Sequence, residues 1–137
     1  MSMAKVYLDS CMIIGLIEGD ATLRQTLRRQ LCNHLICCSE LSRLKARVLA
    51  IRNDDAASLQ QFDQFFAACE MVTLNRAVFD QSALLRAKSN LKTPDALHLA
   101  AAIHASCEEF WSDDKQLNSV ASRFMSVVDW EKLDALK

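Results

Sequence analysis

Lys5-Val6-Tyr7-Leu8-Asp9 is a short apolar run that ends on a carboxylate. A run of this length with no polar alternation reads as a strand buried on both faces, the kind found inside parallel sheets. Outward from it, short apolar runs alternate with helical patterns. Met12 to Ile17 gives a short helical turn, and residues 20–31 give a helix with Leu23, Leu27 and Leu31 at four-residue steps. Leu35-Ile36-Cys37-Cys38 is a second strand. Ser39 is placed to cap a helix expected to carry Leu41, Leu44, Val48 and Ile51 on its inner face. Asn53-Asp54-Asp55 breaks that helix and starts another with Leu59, Phe62, Phe66 and Cys69 inward.

Met71-Val72-Thr73-Leu74 is the expected third strand, followed by a helix capped by Asn75 with Phe79, Ala83, Ala87 and Leu91 in register. Thr93-Pro94-Asp95 is a helix start, with Thr93 as cap, Pro94 at the first position and an acid in the first turn. The helix it opens is expected to bury Ala96, Leu99, Ala100, Ile103 and Cys107. Residues 109–112 and 125–128 supply strands four and five. Alternating buried strands and helices imply an α/β fold, a three-layer α/β/α arrangement with a central parallel sheet of four to five strands. No repeat or linker divides the pattern, so residues 1–137 are expected to form a single domain.

Bulk properties agree. A length of 137 residues suits one core, and 51% apolar with 24% charged residues is a globular balance. Only 2 Gly and 1 Pro argue against a turn-rich all-β fold. A net charge of −1 makes the whole molecule no magnet for nucleic acid, so any RNA binding rests on local basic patches. None of the six cysteines forms a C-x-x-C pair and most lie among apolar residues, which favours reduced thiols over disulfides or zinc. No signal peptide and no bilayer-spanning run is present, and the expectation is a cytoplasmic protein without a membrane partner.

In parallel sheets, sites form beyond the carboxyl ends of the strands near a switch in strand order. Three carboxylate positions fall there. Asp9 ends strand one, Asp95 lies in the first turn of a helix, and Asp113 and Asp114 follow strand four. Acids brought together repel unless a cation holds them, and hard ions such as Mg²⁺ or Mn²⁺ prefer oxygen ligands. Such a cluster with few histidines suggests phosphoryl-transfer chemistry. Each acid also has a plainer reading: Asp95 as a helix-start acid, Asp113 and Asp114 as turn residues.

Tyr7-Leu8-Asp9-Ser10, Ser39-Glu40-Leu41-Ser42, the run from Leu91 through Thr93-Pro94-Asp95-Ala96-Leu97-His98 to Ala100, and Ser112-Asp113-Asp114-Lys115 occur in an order that resembles the PIN-domain family. The resemblance runs from Val6 to Asp129 and is closest to the VapC-type toxins of type II toxin–antitoxin systems. It implies that Asp9, Asp95 and Asp114 are metal ligands and catalytic, with Asp113 in place of the family's asparagine and Ser112 supporting the site. It also implies Mg²⁺- or Mn²⁺-dependent endoribonuclease activity, an RNA substrate, a cognate antitoxin partner and a homodimer.

One position departs from that pattern. The family places a glutamate six residues after the serine that opens the second-strand helix, and counting from Ser39 reaches Lys45. Glu40 lies about 140° around the helix from position 45, which makes it a poor geometric substitute, although as a helix-start carboxylate it could support the site through water. The leading function is therefore an endoribonuclease toxin. The alternative is a PIN fold with little activity that binds RNA or an antitoxin, which Lys45 favours. An aspartyl-phosphate phosphatase is a third, weak reading, because Cys11 stands where that chemistry wants a second Asp. His98 and His104 are read as packing or surface residues, as are Trp111 and Trp130. The strips Arg24, Arg28, Arg29 and Arg43, Lys45, Arg47, Arg52 are read as solvated faces, or as contacts for RNA phosphates or an acidic antitoxin segment.

Overall fold

A computed structural model describes residues 3–136. The chain runs β1 (Ala4–Leu8), α1 (Ser10–Glu18), α2 (Ala21–Leu31), β2 (His34–Cys38), α3 (Glu40–Arg52), α4 (Ala56–Ala68), β3 (Glu70–Met71), α5 (Arg76–Lys88), α6 (Thr93–His104), β4 (Glu109–Trp111), α7 (Lys115–Ala121), β5 (Ser126–Val128) and α8 (Trp130–Ala135). The five strands form one sheet in the order β3-β2-β1-β4-β5, and every pairing is parallel. Strand β1 is central. The chain fills one side of it with β2 and β3, then crosses to the other with β4 and β5, so the switch in strand order lies between β1 and β4.

Strand side chains alternate between faces, so neighbouring residues feed opposite cores. Tyr7, Cys37 and Phe110 enter one hydrophobic layer with Val78 and Leu85 of α5, Leu99 of α6 and Leu117 of α7. Val6, Leu8, Cys38 and Trp111 enter the other with Met12 and Ile13 of α1, Leu27 of α2, Phe62 and Phe66 of α4 and Leu133 of α8. The result is the expected three-layer α/β/α sandwich. Tyr7 and Phe110 stack with ring centroids 5.6 Å apart and nearly parallel planes, which locks β1 to β4 beside the switch point.

Two helices turn a different face inward from the one the sequence suggests. In α3 the buried residues are Ser42, Ala46 and Ala50, whereas Leu44 is 61% exposed and Ile51 53% exposed. In α5 they are Val78, Ser82 and Leu85, and Phe79 is exposed. In α3 the inner side chains are all small, which permits close helix approach, and in α5 Ser82 does the same between Val78 and Leu85. The Ser82 hydroxyl uses that proximity, donating to the carbonyl of Val78 at 2.9 Å and lying 3.3 Å from that of Ala96 on α6.

Several boundaries also differ. Strand β3 is only two residues and begins at Glu70. Lys92, not Thr93, caps α6, without a side-chain cap bond. Ser39 occupies the cap position of α3 but spends its hydroxyl elsewhere. Helices α7 and α8 carry too few apolar positions to stand out by periodicity, and side-chain caps from Asp114 and Asp129 start them. All six cysteines are free, with Cys37, Cys38 and Cys107 buried and Cys32 exposed. Among the described residues no helix is long and apolar enough to cross a membrane.

Candidate metal centre

Asp9 leaves the end of β1 and caps α1, its Oδ1 accepting from the Ser10 backbone N–H at 2.7 Å. Its Oδ2 accepts from the Ser112 hydroxyl at 2.8 Å. Ser112 follows β4 directly and is fully buried. It is held by a backbone bond to Val128 and by the Asn118 side-chain amide on its carbonyl. The same hydroxyl lies 3.2 Å from the Asp114 backbone N–H, which donates to it. One serine thus ties the carboxylate ending β1 to the loop after β4, at the crossover of the sheet. Asp114 turns its Oδ1 to the Leu117 backbone N–H as the cap of α7, which leaves its other oxygen free of that role.

Asp95 approaches from the first turn of α6. Partial burial raises its carboxyl above the usual range, and the negative charges of Asp114 and Asp9 raise it further, while Lys45 and Lys92 pull it down. Asp9, Asp95 and Asp114 therefore share one electrostatic field. Ser112 joins Asp9 to the Asp114 backbone, and Asp95 on α6 lies within reach of the charge of both acids. They do not form a closed cage: among the described residues no three His, Cys, Asp or Glu side chains are drawn together tightly enough to hold a metal unaided. An all-oxygen set of this kind fits a hard divalent cation that keeps several waters and uses few carboxylates. The repulsion recorded at Asp95 is what such a cation would relieve.

The supporting residues divide. Ser112 is at the centre of the arrangement. Asp113 is exposed, and its Oδ1 accepts from the Trp130 backbone N–H at 3.4 Å, so it braces α8 more than it faces the other acids. Glu40 is 73% exposed on its side chain and pairs with Arg43 at 3.8 Å. The α3 charge felt at the site is Lys45, which acts on Asp95, on His98 and on the Cys11 thiol. Cys11 is itself pushed up to about 11 by burial and then by Asp9, which removes it as a nucleophile near neutrality. Arg43 and Arg47 are engaged with Asp63 of α4. Arg24 and Arg28 line a cleft with Leu16, Ile17 and Phe65.

Sequence reading gave one group no part in the site. His98, expected to pack or lie on the surface, is buried in α6 with its Nδ1 2.7 Å from the Tyr7 hydroxyl and its Nε2 3.8 Å from Asp9 Oδ1. The Tyr7 hydroxyl also lies 2.9 Å from Ser39 Oγ and 3.4 Å from Ser42 Oγ. Burial keeps the Tyr7 phenol protonated well above its ordinary range and holds the His98 imidazole toward its neutral form. Three steps along α6 from Asp95 is the one signal that put His98 on the site side of its helix.

The family model for the PIN domain matches residues 6–122. A comparison with curated proteins by sequence finds no match. Among solved structures, a toxin–antitoxin complex from Klebsiella pneumoniae is similar with TM-score 0.72 and 19% identity, over 90% of this chain and 95% of that one. VapBC2 from Rickettsia felis, bound to a DNA fragment from its promoter, gives TM-score 0.71 at 13% identity, over 92% and 98%. VapC20 from Mycobacterium tuberculosis, a sarcin–ricin loop cleaving toxin, gives 0.67 at 12% identity, over 83% and 93%. At such identities the likeness is one of fold.

Proposed function

The chain belongs to the PIN-domain family, and on that premise we propose that it is a divalent-metal-dependent endoribonuclease, the toxin of a toxin–antitoxin pair. The observation that carries this reading is the bridge from Asp9 through Ser112 to Asp114 at the strand crossover, with the Asp95 carboxyl raised by burial and then by the charges of Asp114 and Asp9. Asp9, Asp95 and Asp114 would hold Mg²⁺ or Mn²⁺. When bound, the ion supplies Lewis-acid stabilisation of charge on a phosphate and lowers the pKa of a water. The chain's own residues do the rest. Ser112 fixes the orientation of the Asp9 carboxylate by donating to Oδ2, and the Asp114 cap fixes the loop that presents the third acid. Lys45 and Lys92 offer positive charge beside the acids, where an RNA phosphate would arrive.

A second reading, a binding module with little nuclease activity, is favoured by Lys45, whose ammonium acts on Asp95 in the place where the family resemblance expects an acid. The antitoxin partner is supported by the toxin–antitoxin assemblies among similar structures. The apolar residues left outside, Leu44 and Ile51 on α3 and Phe79 and Leu84 on α5, would suit that partner or a second copy of the chain. The test is incubation of total RNA with the purified protein in Mn²⁺, in Mg²⁺ and in EDTA, with sequencing of new ends. Discrete metal-dependent ends absent from an Asp9→Asn control support the nuclease. Intact RNA that is retained by the protein in a filter-binding assay supports the binding module instead.

A further inference from the structure

With a neutral imidazole, the hydrogen-bond chain behind Asp9 has one arrangement that satisfies its electrostatics. His98 Nε2 faces the Asp9 carboxylate at 3.8 Å, just beyond hydrogen-bond length. A bare Nε2 lone pair turned toward an anion is repulsive, so a neutral imidazole must carry its proton on Nε2. Nδ1 is then an acceptor, and the donor within reach is the Tyr7 hydroxyl at 2.7 Å. Having given its single proton to Nδ1, the Tyr7 oxygen must in turn accept, and the Ser39 hydroxyl at 2.9 Å supplies that bond. This explains why Ser39 leaves the N-terminus of α3 without a side-chain cap.

We propose that Tyr7 and His98 are positioning residues for the candidate metal ligand Asp9: Tyr7 on β1, held by Ser39 at the start of α3, fixes the imidazole as the Nε2–H tautomer, whose N–H dipole faces Oδ1 while the Ser10 N–H binds Oδ1 and the Ser112 hydroxyl binds Oδ2. Asp9 thus takes a hydrogen bond from α1 on Oδ1 and from the loop after β4 on Oδ2, and α6 sets the imidazole N–H dipole 3.8 Å behind Oδ1. A carboxylate restrained in this way loses less orientational freedom when a cation binds, the usual role of residues behind a metal ligand. The inference rests on reading Asp9 as a ligand, and its test separates the two.

In metal-free protein, long-range ¹⁵N–¹H correlation of His98 should show the proton on Nε2 and an Nδ1 resonance shifted by accepting a hydrogen bond. Tyr7→Phe should remove that Nδ1 shift. Mn²⁺ binding, followed by loss of the free-ion paramagnetic resonance signal, should weaken about tenfold in His98→Leu and recover to within roughly threefold of the parent in His98→Gln, whose amide N–H can replace Nε2–H. Should His98→Leu fail to fold, the tautomer and the Tyr7→Phe and His98→Gln titrations still decide. A proton found on Nδ1 overturns the proposal. So does parental Mn²⁺ affinity in both His98→Leu and Tyr7→Phe while Asp9→Asn abolishes binding. If Asp9→Asn itself binds Mn²⁺ like the parent, the ligand assignment fails first and this inference falls with it.

Discussion

Helices α6 and α3 both border the candidate centre, yet one shows its buried face plainly in the sequence and the other conceals it. In α6 every residue from Ala96 to Ala102 is buried, because α5, α7, α3 and the sheet surround it. Any apolar stripe drawn on it therefore falls inside. In α3 the inner face is Ser42, Ala46 and Ala50, and the larger Leu44, Leu49 and Ile51 look outward. Reading the largest apolar residues as the inner ones inverts the helix. Side-chain size marks burial only where there is room; where helices approach closely, small residues win. The outward apolar face then needs another explanation, and a protein partner is the one proposed above.

The comparison can be broken most severely at the acids that α6 and β1 contribute. Asp9→Asn or Asp95→Asn should lower metal-dependent cleavage by more than about 100-fold, since loss of a ligand exceeds the usual effect of its supporting residues. Stability should move the other way for Asp95. Its folded carboxyl is raised, so its contribution is favourable at low pH and is lost as pH rises through the folded value. In EDTA, the melting-temperature advantage of Asp95→Asn should therefore be smallest near pH 4 and grow toward neutrality. An advantage that is constant across pH would remove the repulsion argument.

The inward face of α3 is the next target. Ala46→Leu should destabilise by about 1–3 kcal/mol in urea denaturation, because α3 has no space for three further carbons against α1 and α4. On the same helix Leu44→Ser, two residues away but exposed, should change stability by less than about 0.5 kcal/mol. Equal effects at the two positions would show that the inward face is misassigned. Between these extremes lies Lys45→Glu, which should tighten Mn²⁺ binding roughly three- to tenfold at low salt and less at high salt, as an exposed charge is screened. Unchanged affinity and unchanged growth arrest on induction would make position 45 irrelevant.

The legible part of this molecule is the part whose chemistry is local. A carboxylate after an apolar strand, a Pro-Asp pair opening a helix and acids following another strand point to Asp9, Asp95 and the Asp113–Asp114 pair as candidates without coordinates, and the family resemblance alone singles out Asp114 and adds Ser112. The strand alternation likewise gives the layer architecture, though β3 is trimmed to two residues that periodicity cannot mark. What stays hidden depends on distant pairs. The Tyr7–His98 contact joins residues 91 positions apart, and Tyr7–Ser39 joins residues 32 apart. The spacing of His98 from Asp95 and the cap position of Ser39 are local signals, but neither points to Tyr7 as the partner. Glu40, a poor geometric substitute for position 45 by helix periodicity, is exposed and pairs with Arg43.

The convergence of the three acids on one divalent cation is tested most directly by diffraction from crystals grown with Mn²⁺, using its anomalous signal. The expected result is a single strong peak between Asp9, Asp95 and Asp114, with carboxylate oxygens about 2.2 Å from the ion and water completing the shell. A peak bound elsewhere, or no peak at a Mn²⁺ concentration that supports RNA cleavage, would contradict it.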